Sequence, residues 1–387
     1  MDITGLAPYE EPMQRSAPAA PSSALRSRSF LLLLVCTLGG FTGYVLLLPI
    51  VTMWAVRGGA GELAAGAVNG IFMLVTVLTQ LGMPWLLSKI DHRAALGLGV
   101  LLIGLPTPLY GATTQLPGLL AISGLRGVGF GLLTVAGSAL VAELVPPDAR
   151  GRAAGLYGLA VGLPNVVFLP AGVWLAQHIG FLPLFWTAGL VPAATAALAI
   201  GIAPAANSHT RPVRQFPRAL LPPWSIMTSG ALVAGGLIAF LPLAIGPGSS
   251  PVALLAFGAT TLLGRWLAGQ IGDRTGHVKV LVPSVLTAGL GAALIAVAAA
   301  GGPAPAIPGA ALFGAGFGAM QNTTLVAMFE KTGSGAASTT WNIAYDGGNG
   351  LGSVGFGTLI TLSGYPTAFA AAAALVLLCL PLAARAK

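Results

Sequence analysis

Residues 269–279 read Gly-Gln-Ile-Gly-Asp-Arg-Thr-Gly-His-Val-Lys, and they span the junction between two apolar runs at 251–272 and 278–300. A helix of roughly 20 apolar residues crosses the hydrocarbon core of a bilayer, which is about 30 Å thick. Each run is long enough to cross once, while the junction carries Asp273, Arg274, His277 and Lys279. The stretch therefore predicts a short polar hairpin between two transmembrane helices.

The same alternation of long apolar runs and short polar junctions continues in both directions. The chain is 55% hydrophobic and 7% charged, whereas an ordinary soluble domain is roughly 25% charged. The first run is too long for a signal-peptide core, so we expect it to be a retained helix. The sequence predicts an all-α membrane protein with twelve transmembrane helices, at 30–56, 64–87, 94–112, 117–142, 153–176, 182–203, 219–243, 251–272, 278–300, 306–329, 336–362 and 367–384.

The cations fall almost entirely on one side of a twelve-helix bundle. Only Arg57 falls on the other side, and Arg126 and Arg265 lie inside predicted helices. This asymmetry predicts a cell (inner) membrane protein with both termini in the cytoplasm. The cations are also too dispersed to suggest nucleic-acid binding. The fifteen on the predicted cytoplasmic side are Arg15, Arg26, Arg28, Lys89, Arg93, Arg150, Arg152, Arg211, Arg214, Arg218, Arg274, Lys279, Lys331, Arg385 and Lys387.

The predicted helices divide into two halves of six. The longest junction, 204–218, carries Pro204, Pro212 and Pro217. The run Gly-Phe-Gly at 129–131 recurs at 316–318, and the Ala pair at 153–154 recurs at 336–337 with nearly the same spacing. We therefore predict pseudo-symmetric bundles at 29–203 and 219–387, joined by a cytoplasmic loop at 204–218, after a disordered cytoplasmic tail at 1–28.

Two charged residues at membrane depth are the main candidates for coupling. Asp346 is the only carboxylate deep in a predicted helix, and it shares one helix face with Asn342 and Asn349. It is the first candidate for proton binding; the alternative is a fixed partner for Arg265 or for backbone groups. Arg126 lies about ten residues inside helix four, where an arginine costs roughly 2.5–3.5 kcal/mol. The alternative is that Arg126 is structural, with its guanidinium bound to backbone carbonyls and no part in coupling.

Other polar and aromatic residues at membrane depth could line a substrate cavity, although a polar residue there more often bonds a neighbouring helix than a ligand. We expect Arg265 to snorkel or pair rather than to contact substrate, and we place His92, His178, His209 and His277 in loops. No phosphate-cradling loop, zinc motif or nucleophile elbow is present, so no cofactor or metal is expected. The cavity candidates are Tyr44, Asn69, Asn165, Met227, Gln321, Asn322, Trp341, Asn342, Tyr345 and Asn349, with Gln80 and Thr323 as further polar residues.

The opening stretch resembles the loop motif of the major facilitator superfamily, and Leu125-Arg126-Gly127 with the following glycines is similar to the arginine motif of its proton-coupled drug exporters. The resemblance implies a conformational latch made by Gly269, Asp273, Arg274 and Gly276. Lys89 and Arg93 belong to the first-half copy of the motif. That copy is degenerate, because Ser88 stands where Asp is usual and Asp91 where Gly is usual.

The family resemblance implies alternating access between two rocking halves. Applied to this chain, it implies a monomeric exporter of a small drug-like or natural-product-like molecule that exchanges substrate for protons, with Asp346 binding the proton and Arg126 tuning it. Helix five has Gly158, Gly162 and Pro164 in a pattern that only loosely follows the family's exporter motif. The fold also serves uptake of a nutrient or organic acid by symport or facilitated diffusion. A non-transporting membrane sensor or enzyme is the alternative of another class.

Overall fold

The computed structural model describes residues 25–204, 218–331 and 334–385. Residues 1–24 of the tail predicted at 1–28, residues 205–217 of the loop predicted at 204–218, and the cations Arg15, Arg211, Arg214 and Lys387 lie outside the described residues. Arg28, the last residue of the predicted tail, is instead the first residue of a helix.

The first half contains six helices that follow the predicted apolar runs. They are α1 (Arg28–Arg57), α2 (Glu62–Leu86), α3 (His92–Ala112), α4 (Leu116–Leu144), α5 (Arg150–His178) and α6 (Phe181–Gly201). Helix α1 changes direction at Leu46 and Leu47, just before Pro49. Helix α3 is α-helical only to Gly104 and continues as a 3₁₀ turn over Thr107–Ala112. Pro106 and Pro108 explain this change, because proline supplies no backbone donor.

The second half begins with α7 (Arg218–Ile245), α8 (Ser250–Thr275), α9 (His277–Gly301) and α10 (Ala306–Lys331). The last helical stretch, Ser334–Leu377, contains a non-helical residue, Gly364, with φ 80° and ψ 169°. We divide it there into α11 (334–363) and α12 (365–377), which the short helix Leu380–Arg385 extends.

The predicted all-α membrane fold is confirmed. Within the described ranges, ten segments are long and apolar enough to cross a membrane on their own. These ten segments differ from the twelve predicted helices at two places. Residues 337–385 count as one segment, although Gly364 divides them into two helices. Helix α10 is not among the ten because Gln321 and Asn322 make it less apolar. The twelve helices α1 to α12 are consistent with the twelve predicted runs.

Apolar side chains cover the outside of the bundle. On α2, for example, Leu74, Leu78 and Leu81 are each more than half exposed and recur at helical spacing. In water such a stripe would be costly, but in a bilayer it faces hydrocarbon. The outward faces of the helices therefore match a lipid environment.

We call the side of the bundle that holds Arg28, Lys89, Arg150, Arg274 and Lys331 the basic side, and the other side the opposite side. On the opposite side the two halves are in contact, because the first part of α2 packs against the second part of α11. Gly66 lies directly on the carbonyl oxygen of Ser353, and Gly357 lies on that of Glu62. Neither position has room for a Cβ atom, so glycine permits this close approach.

On the basic side the halves are apart. Gly82 of α2, Gly155 of α5 and Gly347 of α11 have no atom within 4 Å of the position a Cβ would take. Ser138 of α4 and Arg265 of α8 are exposed, and the Arg265 guanidinium lies beside Gln321 of α10 and Trp341 of α11. We call the space between α2 and α4 of one half and α8, α10 and α11 of the other the central cleft. It opens toward the basic side.

Candidate transport site

The carboxylate of Asp346 joins the two halves at the inner end of the central cleft. Asp346 lies on α11 and is 5% exposed, and its Oδ2 accepts a hydrogen bond of 2.7 Å from Nε2 of Gln80 on α2. The same Nε2 is 3.2 Å from Oγ1 of Thr134 on α4, which itself donates to the Phe130 carbonyl. This amide therefore links α2 and α4 of the first half to the one deep carboxylate of the second.

Two features distinguish Asp346 from a structural ion pair. Among the described residues, no lysine, arginine or histidine nitrogen lies within 4 Å of its carboxylate oxygens. In addition, Oε1 of Gln80 is buried and has no hydrogen-bond partner, and leaving such an acceptor unpaired costs about 1–3 kcal/mol. Arg265, which the sequence offered as a fixed partner for Asp346, instead lies beside Gln321.

Arg126 is buried in the first half and its donors are used by the backbone. Its Nε donates to the Ile103 carbonyl of α3 at 3.2 Å, and its Nη2 donates to the Gly43 carbonyl of α1 at 2.8 Å. The guanidinium also lies 5.6 Å from the ring centres of Phe72 and Tyr110. This is the geometry of the structural alternative, in which Arg126 holds α1 and α3 against α4.

Aromatic rings form the wall that the first half presents between Arg126 and the cleft. The Tyr44 ring stacks on Phe130 with 4.0 Å between centroids and on Phe72 with 5.4 Å. Phe41 meets Phe130 edge to face. Tyr44 is 6% exposed in this cluster, so its ring packs mainly within the first half.

The second half presents a column of stacked rings. Trp341 stacks on Tyr345 at 5.4 Å, and Tyr345 stacks on Phe317 at 6.1 Å. The Trp341 indole donates to Oγ1 of Thr324, and that hydroxyl lies 3.5 Å from the Met227 sulfur. Four predicted cavity residues, Met227, Gln321, Trp341 and Tyr345, therefore come together around α7, α10 and α11.

The asparagines among the cavity candidates are engaged in different ways. Asn69 donates to the Leu48 carbonyl and to Thr52, both on α1. Asn165 and Asn349 each donate to a carbonyl one turn earlier in their own helix. Asn342 is half-buried on α11, and Asn322 is half-buried with its Oδ1 buried and unpaired.

The predicted latch residues close the turn between α8 and α9. Gly276 has φ +94°, a conformation that favours glycine, and it caps α8. Oδ1 of Asp273 lies 3.5 Å from Nε2 of His277, while Gly269 lies beside the Asn322 amide. Arg274 is exposed. These contacts stay within the second half.

The cations of the first-half copy of the motif also contact residues of their own half. The Lys89 ammonium lies 4.5 Å from the Trp85 ring centre. Arg93 reaches Asp91 at 3.5 Å and the Ile202 carbonyl at 3.3 Å. With the cleft open on this side, none of these contacts crosses between the halves.

Three of the four histidines that were predicted to lie in loops are helical. Asp91 is the N-cap of α3, and its Oδ1 accepts from the Ala94 amide, so His92 is the first helical residue. His92 is buried, with its Nδ1 2.9 Å from Oε1 of Glu143 on α4. His178 ends α5 and His277 begins α9, while His209 lies outside the described residues. The Asp91 cap was the sequence signal for a helix start at His92.

Comparison with known proteins points to one family. The family model described as Major Facilitator Superfamily matches residues 30–352. A chloramphenicol resistance protein of Streptomyces lividans is 31% identical over 237 residues, covering 56% of this chain and 58% of that protein. A probable 4-methylmuconolactone transporter of Cupriavidus pinatubonensis is 30% identical over 152 residues, covering 38% of this chain and 34% of that protein. An uncharacterized MFS-type transporter of Mycobacterium tuberculosis is 31% identical over 159 residues, 39% of this chain and 22% of that protein. The chain thus spans less than two thirds of the length of these relatives.

Solved structures support the fold. One is a bacterial homolog of the human lysosomal transporter Spinster in its inward-facing and unoccupied conformation, with a TM-score of 0.70 and 14% sequence identity. The match covers 96% of this chain and 98% of that chain. A nucleoside transporter has a TM-score of 0.72 and 11% identity, with 92% and 99% covered. At these identities the likeness concerns the arrangement of helices.

Proposed function

Because the chain belongs to the Major Facilitator Superfamily, a family of membrane transporters rather than enzymes, we propose that it exports a small organic molecule in exchange for protons. The observation that carries this proposal is the hydrogen bond between Asp346 and Gln80. It places the one deep carboxylate of the described residues on the contact between two halves that have to move relative to each other.

Protonation of Asp346 would change this contact directly. A carboxylate only accepts hydrogen bonds, whereas a carboxylic acid also donates one. With Asp346 ionised, the Gln80 amide nitrogen donates to it. With Asp346 protonated, its hydroxyl can donate to the Gln80 carbonyl oxygen, which is now unpaired, after rotation of the amide. The pair thus has one hydrogen-bonded arrangement for each protonation state.

The same two helices, α2 and α11, hold the opposite side closed. Alternating access requires the halves to separate there and to approach on the basic side. A proton can drive that change only if it binds the two states with different affinity. A carboxylate at the contact between α2 and α11 would have a different proton affinity in each state, because its partner across the interface is lost or rearranged when the helices move.

In addition to the role of the Asp346–Gln80 pair, we propose roles for Arg126 and for the latch residues. Arg126 acts as a positioning residue, because it fixes α1 and α3 on α4 and so supports the wall beside α2. Gly269, Asp273, Arg274 and Gly276 would approach the first-half residues Lys89 and Arg93 when the basic side closes. The protein would work as a monomer in the inner membrane with the basic side in the cytoplasm. In that orientation the cleft collects its substrate from inside the cell.

Export is supported by the relative described as a chloramphenicol resistance protein and by the stacked aromatic wall of Trp341 and Tyr345 beside Arg265. Flat organic molecules with few polar groups suit such a wall. The amide of Gln321 offers hydrogen bonds at its edge.

A second candidate function is uptake of an organic acid together with a proton. Arg265 favours it, because this cation lies in the cleft without a carboxylate partner among the described residues. Protonation of Asp346 would remove the negative charge that repels an anion, so acid and proton would travel in the same direction. A relative described as a probable 4-methylmuconolactone transporter shows that the family also includes transporters of small metabolites.

The two candidates differ in the direction of flux under an imposed pH gradient. Purified protein would be reconstituted into proteoliposomes, and uptake of radiolabelled chloramphenicol and of benzoate would be measured with either the lumen or the bath acidic. Export by antiport predicts accumulation of chloramphenicol in vesicles with an acidic lumen. Cotransport predicts accumulation of benzoate when the bath is acidic. Equal flux with and without a gradient, for these and a wider compound panel, would contradict proton coupling.

A further inference from the structure

Arg265 has hydrogen-bond donors to spare at a depth where a charge is costly. It lies in the basic-side part of α8, is exposed to the central cleft, and its Nη1 lies 3.5 Å from Oε1 of Gln321. That distance is at the limit of a hydrogen bond. Within the part of the chain that the structure describes, no carboxylate oxygen lies within 4 Å of its guanidinium.

Arg265 differs from Arg126 in how its hydrogen-bond donors are used. Both arginines lie inside the membrane-spanning helices, but Arg126 is buried and donates to two backbone carbonyls. Arg265 is exposed, and among the described residues its one hydrogen-bond partner is Gln321. A guanidinium offers five N–H donors in a planar fork that matches the two oxygens of a carboxylate. Arg265 is therefore equipped to bind an anion that enters the cleft.

The surroundings of Arg265 indicate the rest of the ligand. Its guanidinium carbon lies 5.9 Å from the ring centre of Trp341. The Trp341 ring stacks on Tyr345, and that ring stacks on Phe317. Aromatic rings bind further rings by offset stacking or edge-to-face contact.

We infer that Arg265, Gln321 and the stacked pair Trp341–Tyr345 form a binding site for an aromatic carboxylic acid, with the carboxylate on Arg265 and the ring on the aromatic pair. The inference rests on the transport cleft of the proposed function and holds for either direction of transport. It assigns substrate contact to Arg265, which the sequence had suggested would snorkel or pair.

The test measures binding without any gradient, so it is independent of proton coupling. Full-length protein in nanodiscs would be titrated with matched pairs in which an acid is replaced by its neutral amide: benzoate and benzamide, then 2-naphthoate and 2-naphthamide. Cyclohexanecarboxylate replaces the aromatic ring. We expect at least one aromatic acid to bind about 10- to 100-fold more tightly than its amide, as for hydrogen bonds to a charged group, and more tightly than cyclohexanecarboxylate.

Two variants of Arg265 and one control connect the preference to this side chain. Arg265→Gln should remove the preference for the acid, and Arg265→Lys should keep a part of it, since lysine keeps the charge but loses the fork. Arg57→Gln removes a cation on the opposite side, near Phe181, and should leave the preference unchanged. A thermal melt of each variant in nanodiscs verifies that it is folded.

Three results would overturn the inference: no binding of any acid, equal binding of acid and amide by the wild type, or an acid preference that survives in folded Arg265→Gln. Each differs from a failure of the proposed function, which would appear as flux that does not respond to a pH gradient although the acid still binds.

Discussion

At the scale of single residues, the central contact joins two side chains that are 266 positions apart in the sequence, Gln80 and Asp346, at 2.7 Å. The contact is buried, and the carboxylate has no cation beside it among the described residues. A hydrogen bond to a charged acceptor in such a place contributes about 1.5–3 kcal/mol. Its loss should therefore be measurable in transport.

A double-mutant cycle on this pair tests whether the two residues act together. Gln80→Ala alone should lower gradient-driven flux by about 10-fold or more, in keeping with the loss of one charge-assisted hydrogen bond. In the Asp346→Asn background the same change should have little further effect, because the interaction is already altered. Asn165→Ala is the matched control, since Asn165 donates only to its own helix; its effect should be the same in both backgrounds. Additive effects of Gln80→Ala and Asp346→Asn would show that the contact plays no part in coupling.

The sequence identified Asp346 and Arg126, but not their partners. A carboxylate in the middle of an apolar run is recognisable because its burial is costly wherever the helix packs. Gln80 was only one of several polar residues at membrane depth, and nothing local shows that α2 meets α11. The same limit applies to His92, whose partner Glu143 lies on another helix, and to Arg265, whose exposure depends on which side of the bundle is open.

At the scale of helices, α2 and α11 form the contact that closes the opposite side. Gly66 and Gly357 allow the backbones to touch, and the Asp346–Gln80 bond lies further along the same helix pair. A side chain added at Gly66 would push the helices apart. The closed contact and the carboxylate that we propose binds the proton thus share one interface, so a change at one should alter the other.

We predict that Gly66→Val shifts the protein away from the form closed on the opposite side, by about 1–3 kcal/mol as for overpacking of a tight core. Spin labels at Gly61→Cys and Leu362→Cys, both near that side and with exposed side-chain positions, would report the distance between α2 and α11 by pulsed electron paramagnetic resonance. Gly82→Val is the control on the same helix, because nothing lies within 4 Å of its added Cβ. A distance distribution for Gly66→Val identical to that of Gly82→Val would contradict the prediction.

The helices themselves were largely predictable, and the deviations have local causes. Each apolar run corresponds to one of α1 to α12, since run length and bilayer thickness fix both count and position. The bend in α1 before Pro49 and the 3₁₀ end of α3 come from prolines that were visible in the sequence. The positive φ of Gly364 marks the turn that separates α11 from α12 within a continuous helical stretch. Contact between particular helices could not be predicted, because the apolar faces carry no signal that selects a partner.

At the scale of the whole molecule, the distribution of cations predicts the orientation in the membrane. Lys89, Arg150, Arg274 and Lys331 all lie on the basic side, where the cleft opens. If that side is cytoplasmic, as the positive-inside rule predicts, the described form takes up its substrate from the cytoplasm. Orientation and open side together determine from which compartment the site is reached.

Cysteine labelling in intact cells checks this orientation. Ser88→Cys lies in the exposed α2–α3 turn on the basic side, and Ala304→Cys lies in the exposed α9–α10 turn on the opposite side. The native Cys36 and Cys379 are buried and should react little. A membrane-impermeant maleimide should label Ala304→Cys in intact cells and Ser88→Cys only after the cells are opened. The reverse pattern would place the basic side outside.

Transport by Asp346→Asn in proteoliposomes tests whether Asp346 binds the coupled proton. Two processes would be measured, substrate exchange and accumulation driven by a pH gradient. The asparagine keeps the size and polarity of the side chain but cannot bind and release a proton, so it should still exchange substrate for substrate across the membrane. Accumulation driven by a pH gradient should fall by about 10-fold or more, because the side chain proposed to carry the proton through the cycle is gone. If Asp346→Asn accumulates substrate against its concentration gradient at the wild-type rate, Asp346 is not the coupling site and the account is wrong.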